Sequence, residues 1–179
     1  MRRLWPLLVV AALAGTGGCS GATEDSAADG GTERFTQGGV SMEPAVKAGQ
    51  VITVRTLKGG YKPTRGDVVL FHGDGPHWVN SSSPLLKRVV AVGGETVACC
   101  TVAGKVTVNG EPLDEPYVAE DAPLDVPPNP GSCEPRRFGP LTVPGDTVFV
   151  LGDNRARSND SRCAGPVPVA SVFAVMTTG

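Results

Sequence analysis

The chain is patterned as short apolar runs, each closed by glycine, proline or a polar turn. Gln50-Val51-Ile52-Thr53-Val54-Arg55 is rich in β-branched residues and follows a turn at Ala48-Gly49, which predicts a strand. Val68-Val69-Leu70-Phe71 is a continuous apolar run and predicts a buried strand. It is entered through Thr64-Arg65-Gly66-Asp67; the Arg-Gly-Asp there reads as a turn into a strand rather than as an adhesion tripeptide. Leu85 to Val92 is a further apolar run, with Lys87 and Arg88 embedded in it. Lys105-Val106-Thr107-Val108 followed by Asn109-Gly110 is a hairpin signal, because both turn residues tolerate positive φ. Asp146 to Leu151 predicts a last strand, and Asp114 to Pro140 is proline-rich and reads as a surface excursion.

The start of the chain has a different texture. Arg2 and Arg3 precede the apolar run Leu4 to Leu13, and small residues follow as far as Cys19. A basic end, an apolar stretch and small residues make an export signal, so residues 1–19 are set apart from the fold. Residues 20–38 are rich in Ser, Gly, Ala, Asp and Thr, with Phe35 the one large apolar residue, and read as a flexible linker. Residues 39–179 remain for the folded domain.

At 179 residues the chain has room for one domain with a proper core. Gly 24 and Pro 16 punctuate it too often for long helices, so a sheet-rich domain is expected. A net charge of -2 gives no electrostatic case for nucleic acid. Of the five cysteines, Cys99, Cys100, Cys133 and Cys163 lie beyond the export signal, where disulfides persist. A bridge between neighbours Cys99 and Cys100 would close a strained ring. Each is therefore expected to pair with Cys133 or Cys163, or only one bridge forms. The spacing is not that of a zinc site, and no metal or other cofactor is implied.

A serine hydroxyl needs a base before it attacks a carbonyl. His72 and His77 both fall in a turn-rich stretch and read as solvated loop residues. Lys87 is flanked by Leu85-Leu86 and Val89-Val90, and burial would lower its pKa toward a neutral, basic amine. Ser41, in Gly39-Val40-Ser41-Met42-Glu43-Pro44, is the partner such a lysine requires. A third motif follows late: Gly152-Asp153-Asn154-Arg155, then Ser158-Asn159-Asp160-Ser161-Arg162.

These three stretches, in this order, resemble type I signal peptidases, the membrane-bound serine endopeptidases that trim exported preproteins. Arg65-Gly66-Asp67-Val68 adds a fourth point of likeness. The resemblance implies a mainly β fold, with antiparallel sheets forming the catalytic domain. It implies Ser41 as nucleophile and Lys87 as general base. Ser158 would hydrogen-bond the lysine, Asp160 and Arg162 would form an ion pair, and Gly152, Asp153 and Asn154 would turn the segment back to the base. The Ser41 backbone N–H would serve the oxyanion; Gly39 stands where some relatives carry a second donor, a serine hydroxyl. Ala45 departs from the threonine usual after Met-x-Pro.

The implied partners are the signal peptides of exported preproteins and the membrane, with the domain on the extracytoplasmic face. Alternatives are a processing peptidase of the same family with one partner, or an inactive lipid-anchored scaffold. The run Leu4 to Leu13 is about half the length of a membrane span. Small residues running into Cys19 resemble a bacterial lipoprotein signal, in which Cys19 is lipidated, although Thr16 departs from the leucine common there. The competing reading is an uncleaved anchor from Leu4 to Thr23.

Overall fold

A computed structural model describes residues 29–73, 78, 83–118, 125 and 137–177. In chain order the elements are β1 (Asp29–Thr36), β2 (Val51–Leu57), β3 (Val68–Phe71), β4 (Leu85–Val92), β5 (Thr96–Cys99), β6 (Val106–Val108), β7 (Glu111–Pro112), β8 (Phe138–Thr142) and β9 (Thr147–Leu151). The helical turn α1 (Ser161–Ala164), β10 (Val167–Pro168), a 3-10 turn (Val169–Ser171) and β11 (Val172–Met176) complete the set among the described residues. Every strand pairing is antiparallel. Seven strands form one sheet in the order β1-β2-β11-β3-β4-β9-β10, and four form a second in the order β7-β6-β5-β8. The fold is mainly β, as expected from the punctuated apolar runs.

Side-chain alternation assigns the strands of the large sheet to its two faces. Along β3, Val69 and Phe71 join one core cluster while Val68 and Leu70 join another, so this run is apolar because both faces are covered. Along β9, Val148 and Val150 face the first cluster, whereas Phe149 and Leu151 face a further one built with Val97, Val106 and Val108 of the small sheet. Strand β4 joins the same two clusters through Val89 on one side and Val90 and Ala91 on the other. Its register with β9 shifts between Val89 and Ala91. The β4–β9 pair thus ties the two sheets together. The Asn109-Gly110 signal is the tight turn between β6 and β7, with φ of 53° and 84° at its two residues.

Two expectations are corrected. Part of the span read as flexible linker, residues 29–36, is the edge strand β1, pairing with β2 from Leu57 to Val51. Its residues are mostly exposed and carry no apolar alternation. Phe35, opposite Ile52, is the side chain that packs it to the core. Cys99 and Cys100 are bonded to each other rather than to distant cysteines. Strand β5 ends at Cys99, so alternation stops there and both side chains turn to the same core cluster. Cys163 is also disulfide-bonded. Cys133, His77 and the export-signal and lipidation readings at residues 1–19 lie outside the described residues.

Phe71 is fully buried and meets Trp78 edge-to-face, with ring centroids 5.1 Å apart. Phe71→Ala is expected to lose about 3–5 kcal/mol, measured as a lowered denaturant midpoint with an unchanged slope.

Candidate active site

Ser41 stands on a tight turn between β1 and β2. Glu43 N–H donates to Val40 O at 3.1 Å and Val46 N–H to Met42 O at 2.8 Å. The buried side chains of Met42 and Val46 root this turn in the core under β2 and β3. Ser41 itself is left partly exposed. Gly39, just ahead of it, is exposed, and its carbonyl accepts from Gln37 Nε2 at 2.8 Å.

Lys87 lies on β4, opposite Val69 of β3, and is 4% exposed. Its Nζ is 3.0 Å from Ser41 Oγ and 3.1 Å from Leu86 O. Burial lowers its pKa from 10.5 to about 8; the carboxylates of Asp160 and Asp153 pull it back up, and the Arg162 guanidinium adds to the lowering. The sheet thus presents a serine hydroxyl to an amine that sheds its proton near pH 8.

The late motif wraps this pair from the end of β9. Asn154 N–H donates to Ser41 O at 3.0 Å, so the turn after β9 fixes the backbone of the serine. Gly152 is needed at that approach: a Cβ there would lie 2.2 Å from Ser158 Oγ and 2.5 Å from Ser41 O. Gly152 N–H donates in turn to Asp160 Oδ2 at 3.1 Å. Asp160 caps α1 and makes a bidentate pair with Arg162, both bonds 2.8 Å. Burial pushes the Asp160 carboxyl up, but the charge and hydrogen bonds of Arg162 outweigh it and hold the pKa low. Ser158 is buried; its Oγ donates to Asn159 O at 3.4 Å and also hydrogen-bonds the Asp160 carboxylate, while Lys87 Nζ meets Ser41 Oγ and Leu86 O.

One participant escaped the sequence reading as a site residue. Arg88 donates from Nε and Nη2 to the two oxygens of Asp153, at 2.8 and 2.7 Å, so Asp153 serves as a buried anchor as well as a turn residue. The available signal was a second charge inside the apolar run of β4, directly after Lys87.

A buried amine held against a serine hydroxyl is an arrangement also used by serine hydrolases in which lysine stands in place of histidine. The chain belongs to the family described as signal peptidase, peptidase S26, which matches residues 31–178. It is 35% identical over 176 residues to signal peptidase I of Mycobacterium tuberculosis (strain H37Rv), covering 74% of this chain and 59% of that protein. Signal peptidase I of Leptolyngbya laminosa is 34% identical over 139 residues, covering 74% of this chain and 61% of the relative. The chain thus spans about three fifths of the length of these relatives. A crystal structure of a signal peptidase I from Enterococcus faecalis is 35% identical with a TM-score of 0.48, covering 65% of this chain and 98% of that one.

Lys87 is bound to cost stability wherever it must be charged. Its folded pKa of about 8 is below the ordinary 10.5, so the desolvation penalty is felt in full below pH 8 and relieved as pH rises toward 10.5. Lys87→Met is therefore expected to melt at or above wild type at pH 7, with the margin shrinking between pH 8 and 10.5. Thermal unfolding across that range checks it.

Proposed function

We propose that this chain is a membrane-held serine endopeptidase that removes signal peptides from exported preproteins. Ser41 is the nucleophile and Lys87 the general base. The observation that carries the reading is the 3.0 Å contact between Lys87 Nζ and Ser41 Oγ, with the lysine buried. Family membership and the named relatives support the substrate class.

Neutral Lys87 takes the Ser41 proton as Oγ attacks the scissile carbonyl. The resulting ammonium gives that proton to the leaving amine, and an acyl-ester remains on Ser41. Water, deprotonated by the same amine, then releases the acyl group. The Ser41 backbone N–H is the donor aimed at the oxyanion, and Asn154 steadies that backbone from the carbonyl side. Asp160, Arg162 and Ser158 act behind the pair by fixing the turn through Gly152. An extended substrate docks by strand addition at an exposed sheet edge, its alternate side chains filling pockets.

Ser41→Ala and Lys87→Ala are each expected to abolish cleavage of a preprotein and labelling by a serine-reactive probe, with circular dichroism unchanged. Wild-type cleavage should fall as pH drops through about 8, because the amine is protonated below that value. Full rate at pH 6 in the folded protein would assign the base to another group.

For the anchor, we propose that Cys19 is lipidated and that the domain works at the outer membrane face. No helix among the described residues is long and apolar enough to cross a membrane. The intact mass of detergent-extracted protein should correspond to an acylated chain beginning at Cys19. An unacylated species beginning at Met1 would assign anchoring to residues 4–23 instead.

A further inference from the structure

Residues 113–118 lie between β7 and β8, outside every motif read from the sequence. Leu113 N–H donates to Val106 O at 2.8 Å and holds the start of this segment on the small sheet. Val118 N–H donates to Glu115 O at 3.1 Å and closes a turn around Pro116 and Tyr117. From that turn two side chains reach back to the large sheet.

Glu115 receives both terminal nitrogens of Arg155, Nη1 on Oε2 at 3.3 Å and Nη2 on Oε1. Tyr117 Oη donates to Glu115 Oε1 at 3.1 Å, and its ring lies under the Arg88 guanidinium, 4.0 Å from the centroid. Both arginines end on the turn after β9. Arg155 Nε donates to Gly152 O at 3.0 Å, and Arg88 holds both oxygens of Asp153. That same turn carries the Asn154 N–H bound to Ser41 O.

We propose that Glu115 and Tyr117 are positioning residues, a strap that fixes the Gly152–Asn154 turn and, through it, the backbone of Ser41. The inference rests on the reading of Ser41 and Lys87 as the reacting pair. Arg155 is 2% exposed and Glu115 11%, so this is an enclosed ion pair, and removing the carboxylate leaves a guanidinium buried without its partner. The bidentate geometry sets the direction of Arg155 as well as its charge. Glu115 is occupied by Arg155 and Tyr117 and offers no free charge to a substrate. Its loss therefore acts on turnover and leaves binding alone.

The test uses the full chain with a signal-peptide substrate, together with amide hydrogen exchange at Asn154. Glu115→Gln is expected to lower kcat by about 10- to 100-fold, the scale of a displaced reacting group. KM should stay within about twofold of wild type, as for an interaction that acts only on turnover. The pH midpoint should hold, because Glu115 is not among the groups that shift the Lys87 amine. Asn154 should exchange faster, and Glu115→Asp should recover part of the rate. Tyr117→Leu should move the same quantities in the same direction, and it is read on the same criteria if Glu115→Gln does not fold. Unchanged kcat with unchanged Asn154 protection, or a rise in KM alone, overturns the strap. Wild type that fails to cleave, while either variant still speeds Asn154 exchange, overturns the peptidase reading and leaves the strap standing.

Discussion

The rest of the structure is organised around an amine kept out of water. Desolvation is the force that lets Lys87 lose its proton at a pH that proteins tolerate. The shift from 10.5 to about 8 corresponds to something on the order of 3 kcal/mol between its two protonation states. Two carboxylates nearby, Asp160 and Asp153, oppose that shift. Burial prevails over both. Each carboxylate is also claimed by an arginine, Arg162 for Asp160 and Arg88 for Asp153, so neither meets the lysine as a bare anion.

The sheet topology makes this arrangement possible at low local cost. Strand β4 lies between β3 and β9, so a lysine on it stands inside the sheet rather than at its edge. The serine stands on a turn rooted by Met42 and Val46 in the core cluster that Leu86 shares. Neighbouring positions on β4 divide the work. Leu86 packs, Lys87 reaches Ser41, and Arg88 reaches the turn that follows β9.

How much of this could be read from sequence depends on how local each signal is. The β3 run, the Asn109-Gly110 turn and the lysine inside β4 were legible because adjacent residues carry them. So was the juxtaposition of Ser41 and Lys87, through the order of the motifs. Strand β1 was not, because with Phe35 alone packed to the core this edge strand has no alternation to detect, and glycine and threonine there resemble a linker. The Cys99–Cys100 bridge was not expected, because a bond between chain neighbours was read as closing a strained ring, whereas the two are joined where β5 ends. The Ser158 hydroxyl, expected on Lys87, is instead bonded to Asn159 O and Asp160. Arg88 with Asp153 and Arg155 with Glu115 join residues 65 and 40 positions apart, and no periodicity reports such pairs.

Those distant pairs answer a geometric problem that apolar packing would not solve. The turn after β9 has to touch the backbone of Ser41, and at Gly152 the gap is too narrow for even a methyl group. No side chain can therefore stand at the contact and hold it by its own bulk. Hydrophobic contact is also non-directional, whereas the Asn154 N–H must point at one carbonyl oxygen. Arginine forks supply direction from one residue to either side of the contact. Arg155 fixes the Gly152 carbonyl, Arg88 fixes the Asp153 carboxylate, and Asp160 fixes the Gly152 N–H. Three charged groups grip a turn of three residues, and each is neutralised by a partner of its own, which is what keeps so much charge compatible with a dry neighbourhood for Lys87.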